Sequence, residues 1–103
     1  MVKEAGSAPE ALEVMLAEPA SIILCDIKMP GEHDGLWLVE RVRAQWPQTA
    51  VIMATTLDDL PTVLKSRALG AVDYVTKPFG RELLRQALRR ATAKLDAWAV
   101  LRP

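Results

Sequence analysis

The apolar positions of the chain fall into two alternating patterns. Ala11, Leu12, Met15 and Leu16 recur at helical spacing. Ahead of them Ser7-Ala8-Pro9-Glu10 has the marks of a helix start, with a Ser cap, Pro in the first turn and Glu three residues after Ser. Glu18-Pro19 stops the run. Ile22 to Cys25 is a continuous apolar run, too short for a helix and β-branched at its start, which suits a strand buried on both faces. Helical spacing returns from Gly35 to Gln45, with Leu36, Leu38, Val39 and Val42 facing inward, and Trp46-Pro47 closes it. Ala50 to Ala54 is a second buried strand ending at Thr55-Thr56. Asp58 and Asp59 can cap a helix with Pro61 in its first turn and Gly70 at its end. Val72 to Thr76 reads as a third strand, and a last helix is expected from near Gly80 to Trp98 or beyond.

Buried runs alternating with helices imply right-handed βαβ crossovers and a parallel sheet covered on both faces. The predicted fold class is α/β, a three-layer sandwich of helices around a parallel sheet. In such sheets function gathers at the carboxyl ends of the strands. Those ends carry Asp26, Thr55 and Lys77. A carboxylate there can attack phosphorus and store free energy as an acyl phosphate. The hydroxyl can donate to a phosphoryl oxygen, and the ammonium can pair first with the bare carboxylate and then with the added charge. Taken singly, each of the three is more often a structural residue such as a cap or turn; only the set of all three points to this chemistry.

Composition narrows the field. One hundred and three residues make one domain with a modest core, half of them hydrophobic and a quarter charged. Thirteen acids balance thirteen bases, so no net field draws nucleic acid or an anionic membrane. Cys25 is the lone cysteine and cannot form an internal disulfide. No apolar run approaches the roughly 20 residues of a membrane span, and a cytoplasmic protein is expected.

The stretches "CDIKMPGEHDG", "VIMATT" and "GAVDYVTKPF", in this order, resemble the receiver domain of bacterial two-component response regulators. The separations of 29 residues from Asp26 to Thr55 and 22 from Thr55 to Lys77 suit that family. The resemblance implies a flavodoxin-like sandwich and a signalling domain that is not an enzyme. It implies that Asp26 accepts a phosphoryl group from a histidine kinase or phosphotransfer protein. Thr55 would move toward the phosphate and Lys77 would bind a phosphoryl oxygen, its bond to Pro78 being cis. Tyr74 would be the switch aromatic. Mg²⁺ would be held by Asp26 and the backbone carbonyl of Lys28. The face built by the last helix, the last strand and the helix before it would change with phosphorylation, and an output domain would lie outside the chain. Residues 1–93 are assigned to the receiver-like domain and 94–103 to a helix extension or linker. His33 is read as an exposed loop residue, and Trp37, Trp46 and Trp98 as packing residues.

These residues depart from the family pattern in three places. No apolar strand ending in an acidic pair precedes Val2-Lys3-Glu4-Ala5, so the fold is expected to be incomplete at its amino terminus and the metal site to lack carboxylates. The same gap is expected to leave the Ile22–Cys25 strand with an unpaired apolar edge, which a homodimer would cover. On that basis the alternative function is a phosphorylation-independent interaction module. The "MPGEHDG" loop is one residue longer than usual, and Thr56 stands where the family has Ala or Gly, which is expected to slow phosphoryl turnover. Leu84, Leu88, Ala91, Leu95 and Trp98 form a seam that fits either a short coiled coil or an amphipathic helix lying on the sheet.

Overall fold

The computed structural model describes residues 2–5, 7–26, 34–55 and 60–101. In chain order the elements are β1 (Val2–Ala5), α1 (Ala8–Ala17), β2 (Ile22–Asp26), α2 (Gly35–Gln45), β3 (Ala50–Thr55), α3 (Leu60–Leu69), β4 (Asp73–Thr76) and α4 (Arg81–Leu101). The helix boundaries follow local chemistry. The Ser7 side chain accepts from the Glu10 N–H at the start of α1, and Pro9 sits in the first turn. Asp34 caps α2 by accepting from the N–H groups of Leu36 and Trp37. At the end of α3, the Ala71 N–H reaches the Ser66 carbonyl and the Gly70 N–H reaches that of Arg67. This Schellman pattern needs a residue at positive φ, and Gly70 stands at +121°.

The four strands are all parallel and lie in sequence order, β1-β2-β3-β4. Ile22 is in register with Ala50, and Ile52 with Asp73. When strands follow one another across a sheet, right-handed crossovers place every connecting helix on the same face. The core reflects this. Residues of α1, α2 and α3 pack with Ile23, Cys25, Val51 and Met53 on one face, while Ile22, Leu24, Ala50, Ile52, Ala54 and Val75 on the other face meet α4. The predicted three-layer α/β sandwich is therefore observed, with a single helix as its third layer.

One expectation is overturned. The Ile22–Cys25 edge is not open, because β1 pairs with it from Val2↔Ile22 to Ala5↔Cys25. A backbone ladder satisfies the groups that would otherwise template association, so the argument for a homodimer through that edge falls away. Smaller differences concern individual positions. Leu16, one of the four apolar positions at helical spacing in α1, is 67% exposed, whereas Met15 beside it is buried. Leu36 is only half-buried. The seam of α4 lies on the sheet: Ala91 is buried there, and Leu84, Leu88, Leu95 and Trp98 pack around it. Asp58 and Asp59, Thr56, Lys28 and His33 lie outside the described residues.

The same substitution in two helices separates burial from composition. Leu38→Ala, at a site with no exposed surface, is expected to cost about 2–5 kcal/mol by removing contacts and leaving a cavity. Leu16→Ala is expected to stay within about 0.5 kcal/mol of the parent. Urea unfolding of the two variants measures the contrast; equal losses would mean that the packing around α1 and α2 is not as described.

Candidate functional site at the carboxyl rim of the sheet

β2, β3 and β4 end side by side, so their last residues share one rim. Register places Asp26 opposite Ala54 and Thr55 opposite Thr76. Beyond the last residue of β4 the Lys77 N–H donates to the Thr55 carbonyl at 2.6 Å, extending the ladder by one step. That bond fixes where the lysine side chain begins. The Lys77–Pro78 peptide is cis, as expected.

The Lys77 ammonium forms an ion pair with Asp26 Oδ1. β2 and β4 are not neighbours; two strand spacings, roughly 10 Å, separate them. The lysine therefore crosses the end of β3 to reach the aspartate. Their side chains are 38% and 44% exposed, open enough for a reactant to approach. A pair this exposed contributes only about 0–1 kcal/mol to stability. Thr55 itself is buried.

Tyr74 packs against the face lined by α1, α2 and α3. It is in register with Met53, and by strand alternation Thr55 points to that same face. Thr55 and Tyr74 are thus diagonal neighbours on adjacent strands, a separation that an aromatic ring can span. The rim brings Asp26 and Lys77 into direct contact across the end of β3, while Thr55, in line with Val51 and Met53, shares the α1–α3 face with Tyr74, one diagonal step away. Lys28 lies outside the described residues.

Two neighbours were not foreseen. Asp73, at the start of β4, accepts from its following N–H on Tyr74 and forms an ion pair with Arg90 of α4, holding that guanidinium above its ordinary range. No local pattern signals a pair 17 residues apart. The other is Cys25, buried on the opposite side of the strand from Asp26. Its thiol donates to the Asp26 carbonyl at 3.4 Å. Burial first, and then the charges of Asp26 and Asp34, push it from 9.0 up to about 12. It is a neutral packing group, not a nucleophile.

The described residues do not fit a Mg²⁺ ion. They contain no group of three or more His, Cys, Asp or Glu placed to hold a metal. One oxygen of Asp26 is already taken by Lys77, and Mg²⁺ needs a near-octahedral oxygen shell. No described helix is long and apolar enough to cross a membrane.

Comparison with known proteins agrees with this geometry. The family model described as "Response regulator receiver domain" matches residues 1–89. The chain is 39% identical over 93 residues to the C4-dicarboxylate transport transcriptional regulatory protein DctD of Rhizobium meliloti (strain 1021), covering 90% of this chain and 20% of that protein. It is 33% identical over 90 residues to the probable C4-dicarboxylate response regulator DctR of Priestia megaterium, covering 87% and 39%. Among solved structures, the receiver domain of NtrX from Brucella abortus superposes with a TM-score of 0.81 at 28% identity, covering 86% of this chain and 75% of that one. The chain thus spans between a fifth and two fifths of these curated relatives.

The buried thiol gives a test of this rim. Between pH 9 and about 12 the unfolded chain has released the Cys25 proton and the folded chain still holds it. The folded state then binds more protons, so stability is whole below pH 9 and falls as pH rises, by about 1.4 kcal/mol per unit from this group. Cys25→Ala is expected to be less stable at neutral pH but to decline less steeply above pH 9. Unfolding free energies measured across that range decide it; parallel declines would mean that the thiol is not shielded.

Proposed function

Because the chain belongs to the response regulator receiver domain family, we propose that it accepts a phosphoryl group on Asp26 and signals the change through Thr55 and Tyr74. Membership of the family implies two-component signalling and a histidine kinase or phosphotransfer protein as donor. The observation that carries the residue assignment is the Asp26–Lys77 ion pair above the end of β3.

A carboxylate oxygen of Asp26 attacks the phosphorus of a phosphohistidine. The new P–O bond forms as the P–N bond breaks, and the electron pair returns to the imidazole nitrogen. Lys77 first holds the bare carboxylate and then turns to the phosphoryl oxygens, whose charge grows during transfer. The Thr55 hydroxyl donates to another of these oxygens. Its displacement toward the phosphoryl group vacates space on the face that Tyr74 shares, and the ring follows. Receiver domains typically bind Mg²⁺; Asp26 and the Lys28 carbonyl are the residues this reading would assign to it, where it would offset the phosphoryl charge.

Receiver domains are not, in general, enzymes in their own right, and one aspartate turned over once per signal fits that. The reading includes an output domain beyond these residues, since the chain spans a fifth of DctD, whose name gives it a transcriptional regulatory role. Residues 1–93 would be the receiver body, and its place of work the cytoplasm. The Asp26–Lys77 pair favours this reading over a phosphate-independent association module, which has no need of a lysine held on an aspartate.

Intact-mass spectra after incubation with a small acyl phosphate test the proposal. The parent chain is expected to gain one phosphoryl group and Asp26→Asn none. Lys77→Ala should gain it on the order of 10²-fold more slowly, the usual effect of losing one preorganised charge partner. An equal gain in Asp26→Asn would move the acceptor elsewhere. No gain in the parent would return the chain to the association module.

A further inference from the structure

The family match ends at residue 89, but α4 continues to Leu101. Its distal turns do not project from the body. Leu95 and Trp98 pack against the core on the α4 face. They also form one wall of an open cleft of about 420 Å³ at the amino-terminal end of the sheet, faced by Pro19, Trp46 and Pro47. The distal turns are therefore laid over a gap and not sealed into a filled core.

A charged side chain from the other layer reaches them. The Arg43 guanidinium of α2 lies 5.1 Å from the centre of the Trp98 ring. Arg43 is held on two further sides. Its Nη1 donates to the Pro47 carbonyl at 2.5 Å. Its stem crosses Gly70 so closely that a Cβ added there would stand 2.5 Å from Arg43 Cγ and 2.8 Å from Nε. Gly70 ends α3 and opens the connection to β4, the strand that leads to Tyr74 and Lys77. The same connection ends in Asp73, which holds Arg90 of α4. Two separate ties thus run from the α3–β4 connection to α4, one direct and one through Arg43.

We infer that Arg43 is a strap. It holds the distal turns of α4, residues 94–101, on the body and makes their position depend on the α3–β4 connection. A cation over an indole is a weak, reversible hold, and the cleft beside Leu95 and Trp98 leaves their packing against the sheet incomplete. Movement of the connection displaces the Arg43 stem, which has no slack over Gly70, and the guanidinium leaves the ring. The strap is a local opening unit within a folded body. This inference concerns packing and stands whether or not Asp26 accepts phosphate.

Hydrogen exchange of the full chain, followed peptide by peptide, tests it. Arg43→Met keeps an apolar stem and removes the cation. It is expected to speed exchange across residues 94–101 roughly two- to thirty-fold, the span of measured cation–π strengths, while the amides of β2 and β3 keep their rates. Gly70→Ala leaves both Arg43 and Trp98 in place but forces the stem aside and strains the backbone at +121°, so it is expected to speed exchange at the α3–β4 connection itself and to produce the same increase across 94–101. Unchanged exchange at 94–101 in Arg43→Met overturns the strap. So does an equal rise in β2 and β3, which would make Arg43 a contributor to global stability and nothing more. A response to Arg43→Met without one to Gly70→Ala would overturn the tie to the α3–β4 connection.

Discussion

The order of the strands is the constraint on which the rest of the molecule depends. Four parallel strands in sequence order, joined by right-handed crossovers, place α1, α2 and α3 on one face. The opposite face, with Ile22, Leu24, Ile52 and Val75, is left to whatever follows β4. α4 has to cover it alone, and the 21 residues of that helix provide the length. Its small buried residues, Ala87 and Ala91, let the helix axis approach the sheet, while Leu84, Leu88, Leu95 and Trp98 spread to either side. A seam that reads as a coiled coil in isolation is here consumed by the sheet.

The rim follows from the same ladder. Parallel pairing in register brings three strand ends level, so Lys77 after β4 can reach Asp26 at the end of β2. The backbone bond from Lys77 to Thr55 matters as much as the side chains, because it sets the origin from which the lysine spans β3. The aspartate and lysine stay partly exposed, where a reactant can reach them and where their mutual attraction costs little to break. Behind them, the strand turns its apolar residues inward, and Cys25 stays neutral in the core. Alternation along one strand thus separates the partly exposed carboxylate from the packed thiol.

Two side-chain ties hold the last helix, one from β4 and one from α2, and they differ in strength. Asp73 and Arg90 join opposite charges across a short distance at the start of β4. Arg43 and Trp98 join the far end of α4 through a weaker contact, over a cleft. The helix is thereby anchored near its middle and loosely held near its end. Motion introduced at β4 has a direct route to the first and a route through the stem of Arg43 to the second.

The sequence by itself determined what short-range physics controls. Ser7, Asp34 and Gly70 mark helix ends because caps and left-handed stops are local requirements. The apolar runs at Ile22 and Ala50 could only be strands buried on two faces, and Asp26, Thr55 and Lys77 could be recognised as strand ends from that alone. Tertiary structure decided what depends on neighbours. Whether Ile22–Cys25 kept an open edge turned on β1, a four-residue strand whose pairing leaves no local trace. Leu16 and Met15 are equally apolar, and only the position of α2 and the sheet buries one and exposes the other. The partners Asp73 and Arg90, and Arg43 and Trp98, are joined by the packing of layers, a long-range relation that no periodicity encodes.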